Sequence, residues 1–170
     1  MYQQKSFFAL LTFLLFSSMF FYSCAQTKGL VKNMHAYYSE KTPGTVRADE
    51  NGNPLPVKID TVIVVYVETT TKLIAWDTAW KDNRMYRIIP QLIDPVPFEV
   101  GFEKGGKEKI FITTDTNHFL YQLYLQPIGT NLPPPRSIEV NQILLKAQYK
   151  GKTFLKVTGR LIEVDSYPSV

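Results

Sequence analysis

The chain has 170 residues, a formal net charge of +4, one cysteine and two histidines. That length fits one domain. With 45% apolar and 20% charged residues, it is neither a disordered chain nor a polyelectrolyte. One cysteine excludes a disulfide scaffold and a four-cysteine zinc centre, and two histidines leave little for a histidine-rich metal site.

The first elements in chain order are not those of a folded domain. Of the first 23 residues, 15 are apolar, and Lys5 is the only charge before Lys28. A short basic start, an apolar core from Phe7 to Tyr22 and a small-residue exit at Ser23-Cys24-Ala25 have the layout of a secretory signal. The apolar core is about 16 residues, short of the ~20 that a permanent spanning helix needs, although a retained signal-anchor is the alternative. The stretch Phe21-Tyr22-Ser23-Cys24 resembles a bacterial lipobox, in which a small residue precedes the cysteine to be acylated. The resemblance covers four positions and implies cleavage before Cys24 and lipidation of its thiol. Cleavage after Ala25 by an ordinary signal peptidase is the competing reading.

As a whole the chain looks like small Gram-negative envelope lipoproteins. That resemblance implies a membrane partner through the lipid anchor. Because Ala25 is not aspartate, it also implies the outer membrane, and the lack of an acidic run after it favours the periplasmic face. The expected organisation is a signal over 1–23, a lipid-anchored tether and irregular lead-in over 24–56, and a folded domain over 57–170.

Turn chemistry fills Thr42–Thr45 and Asp49–Pro54. Asn33–Tyr38 fits either a helical turn or extended backbone. From Val57 the pattern becomes β. Val57, Ile59, Thr61, Ile63, Val65 and Val67 alternate with a set that is polar at its ends and apolar in its middle, so the centre of this strand is expected to be covered on both faces. Further strands are expected over 73–80, 85–93, 98–102, 119–125, 140–149 and 154–164. Gly105-Gly106 and Lys150-Gly151 mark hairpins, and a phase change near Gly159 predicts a bulge or bend. About eight short strands without a sustained helical period predict an all-β, two-layer antiparallel sandwich, Ig-like or similar.

No catalytic, cofactor or metal signature emerges. Asp49–Asp60 echoes a calcium loop but has Pro54 at the position that needs glycine, so a plain turn is expected. Glu68 and Asp77 are expected to form surface salt bridges, with Lys72 or Arg84 at hand. His35 and His118 lack a second ligand at a recognisable spacing. Trp76, Asp77 and Trp80 are the candidate contact residues: on a regular strand Trp76 and Trp80 share one face and Asp77 points away. Core packing competes with contact to a protein partner or a sugar. The expected function is a lipid-anchored, non-catalytic protein-interaction module of the cell envelope. The alternatives are a glycan or small-ligand binding module and, third, a small envelope hydrolase; a nucleic-acid partner is not expected.

Overall fold

The computed structural model describes residues 29–41, 48–53, 55, 60–94, 96–129 and 131–165. The chain divides into two compact units, Met1–Leu30 and Val31–Val170, and the second contains every strand among the described residues. The signal, Cys24 and the Thr42–Thr45 turn lie outside the described residues.

The second unit is all-β, with no helix among the described residues. Its ten strands are β1 (Val31–Lys41), β2 (Asp60–Thr69), β3 (Ala75–Lys81), β4 (Arg84–Ile93), β5 (Phe98–Phe102), β6 (Lys109–Ile112), β7 (Phe119–Pro127), β8 (Leu144–Tyr149), β9 (Lys152–Val157) and β10 (Leu161–Glu163). Eight form one sheet in the order β10-β1-β2-β7-β4-β3-β8-β9, and β5 and β6 form a separate pair. All neighbours are antiparallel except β1 and β10.

Chain connectivity shows why the sheet must curl. Its two edges, β9 and β10, are joined by residues 158–160 alone. Such a link spans at most about 14 Å, whereas the edges of a flat eight-stranded sheet would stand about 34 Å apart. The pairing directions also make β9 and β10 run the same way. They are therefore two halves of one bent strand, the first pairing with β8 and the second with β1. Opposed walls of one sheet thus supply the layers of a sandwich-like fold, closed by a strand that changes edges at a bend.

Thr158 holds that bend. Its backbone N–H donates to the Ile143 carbonyl at 2.9 Å, its Oγ1 accepts from the Ile143 N–H at 3.0 Å, and the Leu161 N–H donates to the Asn141 carbonyl at 2.8 Å. The expected bend near Gly159 is present. The burial phase differs from the apolar alternation of Leu155, Val157 and Leu161 in the sequence, because Phe154 is buried whereas Leu155 and Val157 are only partly so.

The register places Ala36, Val65 and Leu123 in one row and Ile63, Leu125 and Ile88 in another. All six are buried and belong to the inner face. On the opposite face Tyr37, Tyr66 and Leu120 pack with Val100, Ile112 and Val164. This second cluster lies under the β5–β6 pair, whose end is tied to the β10 edge by Lys104 N–H to Glu163 and Asp165 N–H to Phe102. The centre of β2 is covered on both faces, with Val65, Tyr66, Val67 and Glu68 all buried.

Three local features depart from the sequence reading. First, the lead-in is not irregular throughout, since Val31–Lys41 is an 11-residue strand paired with β2. A register shift between Val31 and Met34 breaks the period of two that would have revealed it. Secondly, Gly105 alone of the Gly-Gly pair has positive φ (74°), in a Glu103–Gly106 turn. Thirdly, the Asp82-Asn83 turn between β3 and β4 has φ of 49° and 60°, the paired left-handed backbone of a type I′ hairpin. Pro90 sits inside β4, but β3 pairs only with Arg84–Arg87, so that edge of β4 has no ladder there for proline to interrupt.

Candidate functional site

The open end of the curled sheet forms a cleft of about 740 Å³. Its walls come from strand ends at the same end of the sheet: Tyr38 of β1, Asp60 and Ile63 of β2, Lys81 of β3, Arg84 and Tyr86 of β4, and Pro127 of β7. Asn141 and Leu161 close the side where the bent strand crosses. Short hairpins and a closing strand position these residues, so they converge although they are far apart in sequence.

The lining is polar and of mixed charge. Lys81 pairs with Asp82 on the β3–β4 turn, while Arg84 makes no ion pair among the described residues. The Tyr38 hydroxyl donates to Glu163 Oε2 at 2.9 Å, and Lys104 pairs with the other oxygen of that carboxylate. The Lys104 hydrogen bond holds the Glu163 carboxyl below its ordinary range. The bond to Glu163 in turn raises the Tyr38 hydroxyl, so it stays protonated as a donor. A second hollow of about 570 Å³ shares Tyr38, Asn141 and Leu161 and adds Glu103, Lys104, Arg160 and Glu163. Two tyrosines among charges of both signs suit a hydroxylated or zwitterionic ligand, which offers donors and acceptors together.

Trp76 and Trp80 lie elsewhere, and both are buried. The β3–β8 register shifts between Trp76 and Thr78, leaving Trp76 opposite Ala147 and Trp80 opposite Leu144. Those partners are an odd number of residues apart, so the two indoles occupy opposite faces instead of sharing one. Trp76 packs edge-on against Tyr121, with ring centroids 6.3 Å apart. Neither indole Nε1 has a hydrogen-bond partner among the described residues, unlike the satisfied core indole expected of buried tryptophan. Of the three candidate contact residues, Asp77 alone is at the surface, where it pairs with Lys146 at 2.7 Å.

Asp49 forms the plain turn expected of it. Its carboxylate accepts the backbone N–H groups of Asn51 and Asn53 and the Asn53 side-chain amide, which directs its oxygens to its own loop.

A further cluster lies at the opposite end of β2. Glu68 is buried instead of forming a surface salt bridge, and its Oε1 accepts the Asp115 backbone N–H at 3.0 Å and stands 2.6 Å from His118 Nδ1. The Asn33 side-chain amide donates to Oε2. Burial alone would push this carboxyl up; the bonds from Asp115, His118 and Asn33 outweigh it and hold the group below the ordinary glutamate range. The Asp115 carboxylate lies 3.8 Å from His118 Nδ1. The His118 ring is thus held by the buried Glu68 carboxylate. Its partner lies 50 positions earlier and is brought to it by the pairing of Thr69 with Phe119.

No helix among the described residues is long and apolar enough to cross a membrane. In comparisons with known proteins, the chain matches no family model, no curated protein and no solved structure.

Proposed function

We propose that the protein is a lipid-anchored, non-catalytic binding module of the cell envelope. In this reading Cys24 carries the anchor at the periplasmic face of the outer membrane, and the cleft at the mouth of the curled sheet takes the ligand. The cleft supports this reading: about 740 Å³ of open volume between Tyr38, Arg84 and Tyr86 falls within the range of small-molecule sites, which recur in the mouths of β-barrels. It favours a glycan or another small polar ligand over a protein partner docked on the tryptophans, whose rings are buried.

Two experiments test the two halves. Processing and membrane fractionation with globomycin, or with Cys24→Ala, should yield an unacylated precursor; unchanged processing refutes the anchor. A panel of soluble envelope glycans and muropeptides, titrated against the protein by NMR, should shift resonances at Tyr38, Arg84 and Tyr86. Arg84→Ala should weaken that binding about tenfold or more, the loss of a charged hydrogen bond. Saturable binding that maps elsewhere refutes the cleft.

A further inference from the structure

We propose that Glu68, Asp115 and His118 form a binding site for a divalent transition-metal ion of the zinc class. One ligand atom from each residue lies within 4.8 Å of the others. In a tetrahedral site with bonds of about 2.0–2.1 Å, ligand atoms stand about 3.4 Å apart. The Glu68–His118 separation of 2.6 Å and the His118–Asp115 separation of 3.8 Å fall on either side of that value. Less than about 1 Å of movement in these two pairs, and no more than about 1.4 Å in the third, Glu68–Asp115, therefore brings the set to coordination distance. Asp115 can supply its share, because its side chain is 86% exposed.

The rest of the cluster has the character of outer support for such a site. Asn33 occupies Oε2 of Glu68, leaving Oε1 directed at His118. The Asp115 backbone N–H fixes the same carboxylate, and partners of this kind orient a ligating group. One imidazole nitrogen with two carboxylate oxygens suits zinc and neighbouring divalent ions: it lacks the thiolates that select Cu(I) and the all-oxygen shell that selects calcium. Three protein ligands would leave a fourth position for water. The metal would take the Nδ1 lone pair, with the ring proton on Nε2 and any proton held between Nδ1 and Glu68 released to solvent.

The site is separate from the cleft. Asp60 and Glu68 lie at opposite ends of β2, about 27 Å apart along the strand. Failure of one proposal therefore leaves the other standing.

The test is calorimetric titration of zinc chloride into the detergent-solubilised full chain, chelator-treated and carrying Cys24→Ala so that the lone thiol does not compete. The expected result is saturable one-to-one binding with a rise in melting temperature. Asp115→Asn, at an exposed side chain, should keep the fold and weaken zinc about tenfold or more, and His118→Gln should do the same. His35→Ala should bind as the parent does. Absence of saturable binding overturns the proposal and leaves Glu68–His118 as a latch on the loop before β7. Parental affinity in Asp115→Asn and His118→Gln overturns it equally, by placing the zinc elsewhere.

Discussion

Replacing Glu68 by glutamine probes a buried carboxylate held by three partners. The change preserves volume and removes one charge from a buried carboxylate that accepts from the Asp115 N–H and the Asn33 amide and meets the His118 ring. Each of these contacts falls from a charged to a neutral hydrogen bond, a loss of roughly 0.5–1 kcal/mol apiece. The glutamine NH₂ must also face one of the three donors, leaving it unpaired at a further cost of about 1 kcal/mol. Their combined loss is about 3 kcal/mol, or about 6–12 °C in melting temperature for a chain of this size.

The effect must also depend on pH, with a definite sign. The folded state holds this carboxyl below its ordinary value, so its contribution is complete above the unfolded pKa of about 4.3 and is lost as pH falls through the lower folded value. Urea unfolding of chelator-treated Glu68→Gln and parent should show the full gap at pH 7 and a narrowed one near pH 3. A gap below about 1 kcal/mol at pH 7, or one equally large at both pH values, would refute the reasoning.

Three other positions give sharp expectations for stability. Thr158→Val keeps the shape of the side chain but strips the Ile143 N–H of its acceptor at the bend, and chemical denaturation should register a loss of about 2 kcal/mol; a neutral result would mean that the bend does not depend on that bond. At Gly151, φ is +74° with nothing within 4 Å of an added Cβ, so Gly151→Ala costs about 1 kcal/mol through backbone strain alone. Gly159 has equal space and lies outside the left-handed region, so Gly159→Ala should instead stabilise by about 0.5 kcal/mol. Equal effects of the two alanines would contradict this account of the turns.

Patterns confined to one segment carried their message in the sequence. The apolar middle of β2 foretells burial on both faces because its neighbours can only be other layers, and Tyr66 and Val67 are indeed both buried. Lys150-Gly151 foretells a tight hairpin because left-handed backbone favours glycine, and both residues have positive φ. A bend stands near Gly159, where a break in the strand is expected, although the burial phase behind that expectation differs, with Phe154 buried and Leu155 and Val157 only partly so. The first two are local consequences of backbone sterics or of a two-residue period.

Features set by pairing between distant segments were not legible. A register shift in β3 puts Trp76 and Trp80 on opposite faces, since one extra residue reverses every side chain beyond it. The same kind of shift near Val31 hides β1. Fifty positions separate Glu68 from His118, and only the alignment of β2 with β7 makes them neighbours. Composition and local period thus determined an all-β chain and some of its turns, the Lys150-Gly151 hairpin among them. The tertiary structure decided the rest, because a three-residue link forces the two edges of an eight-stranded sheet together, opening a cleft at one end and gathering a buried carboxylate and a histidine at the other.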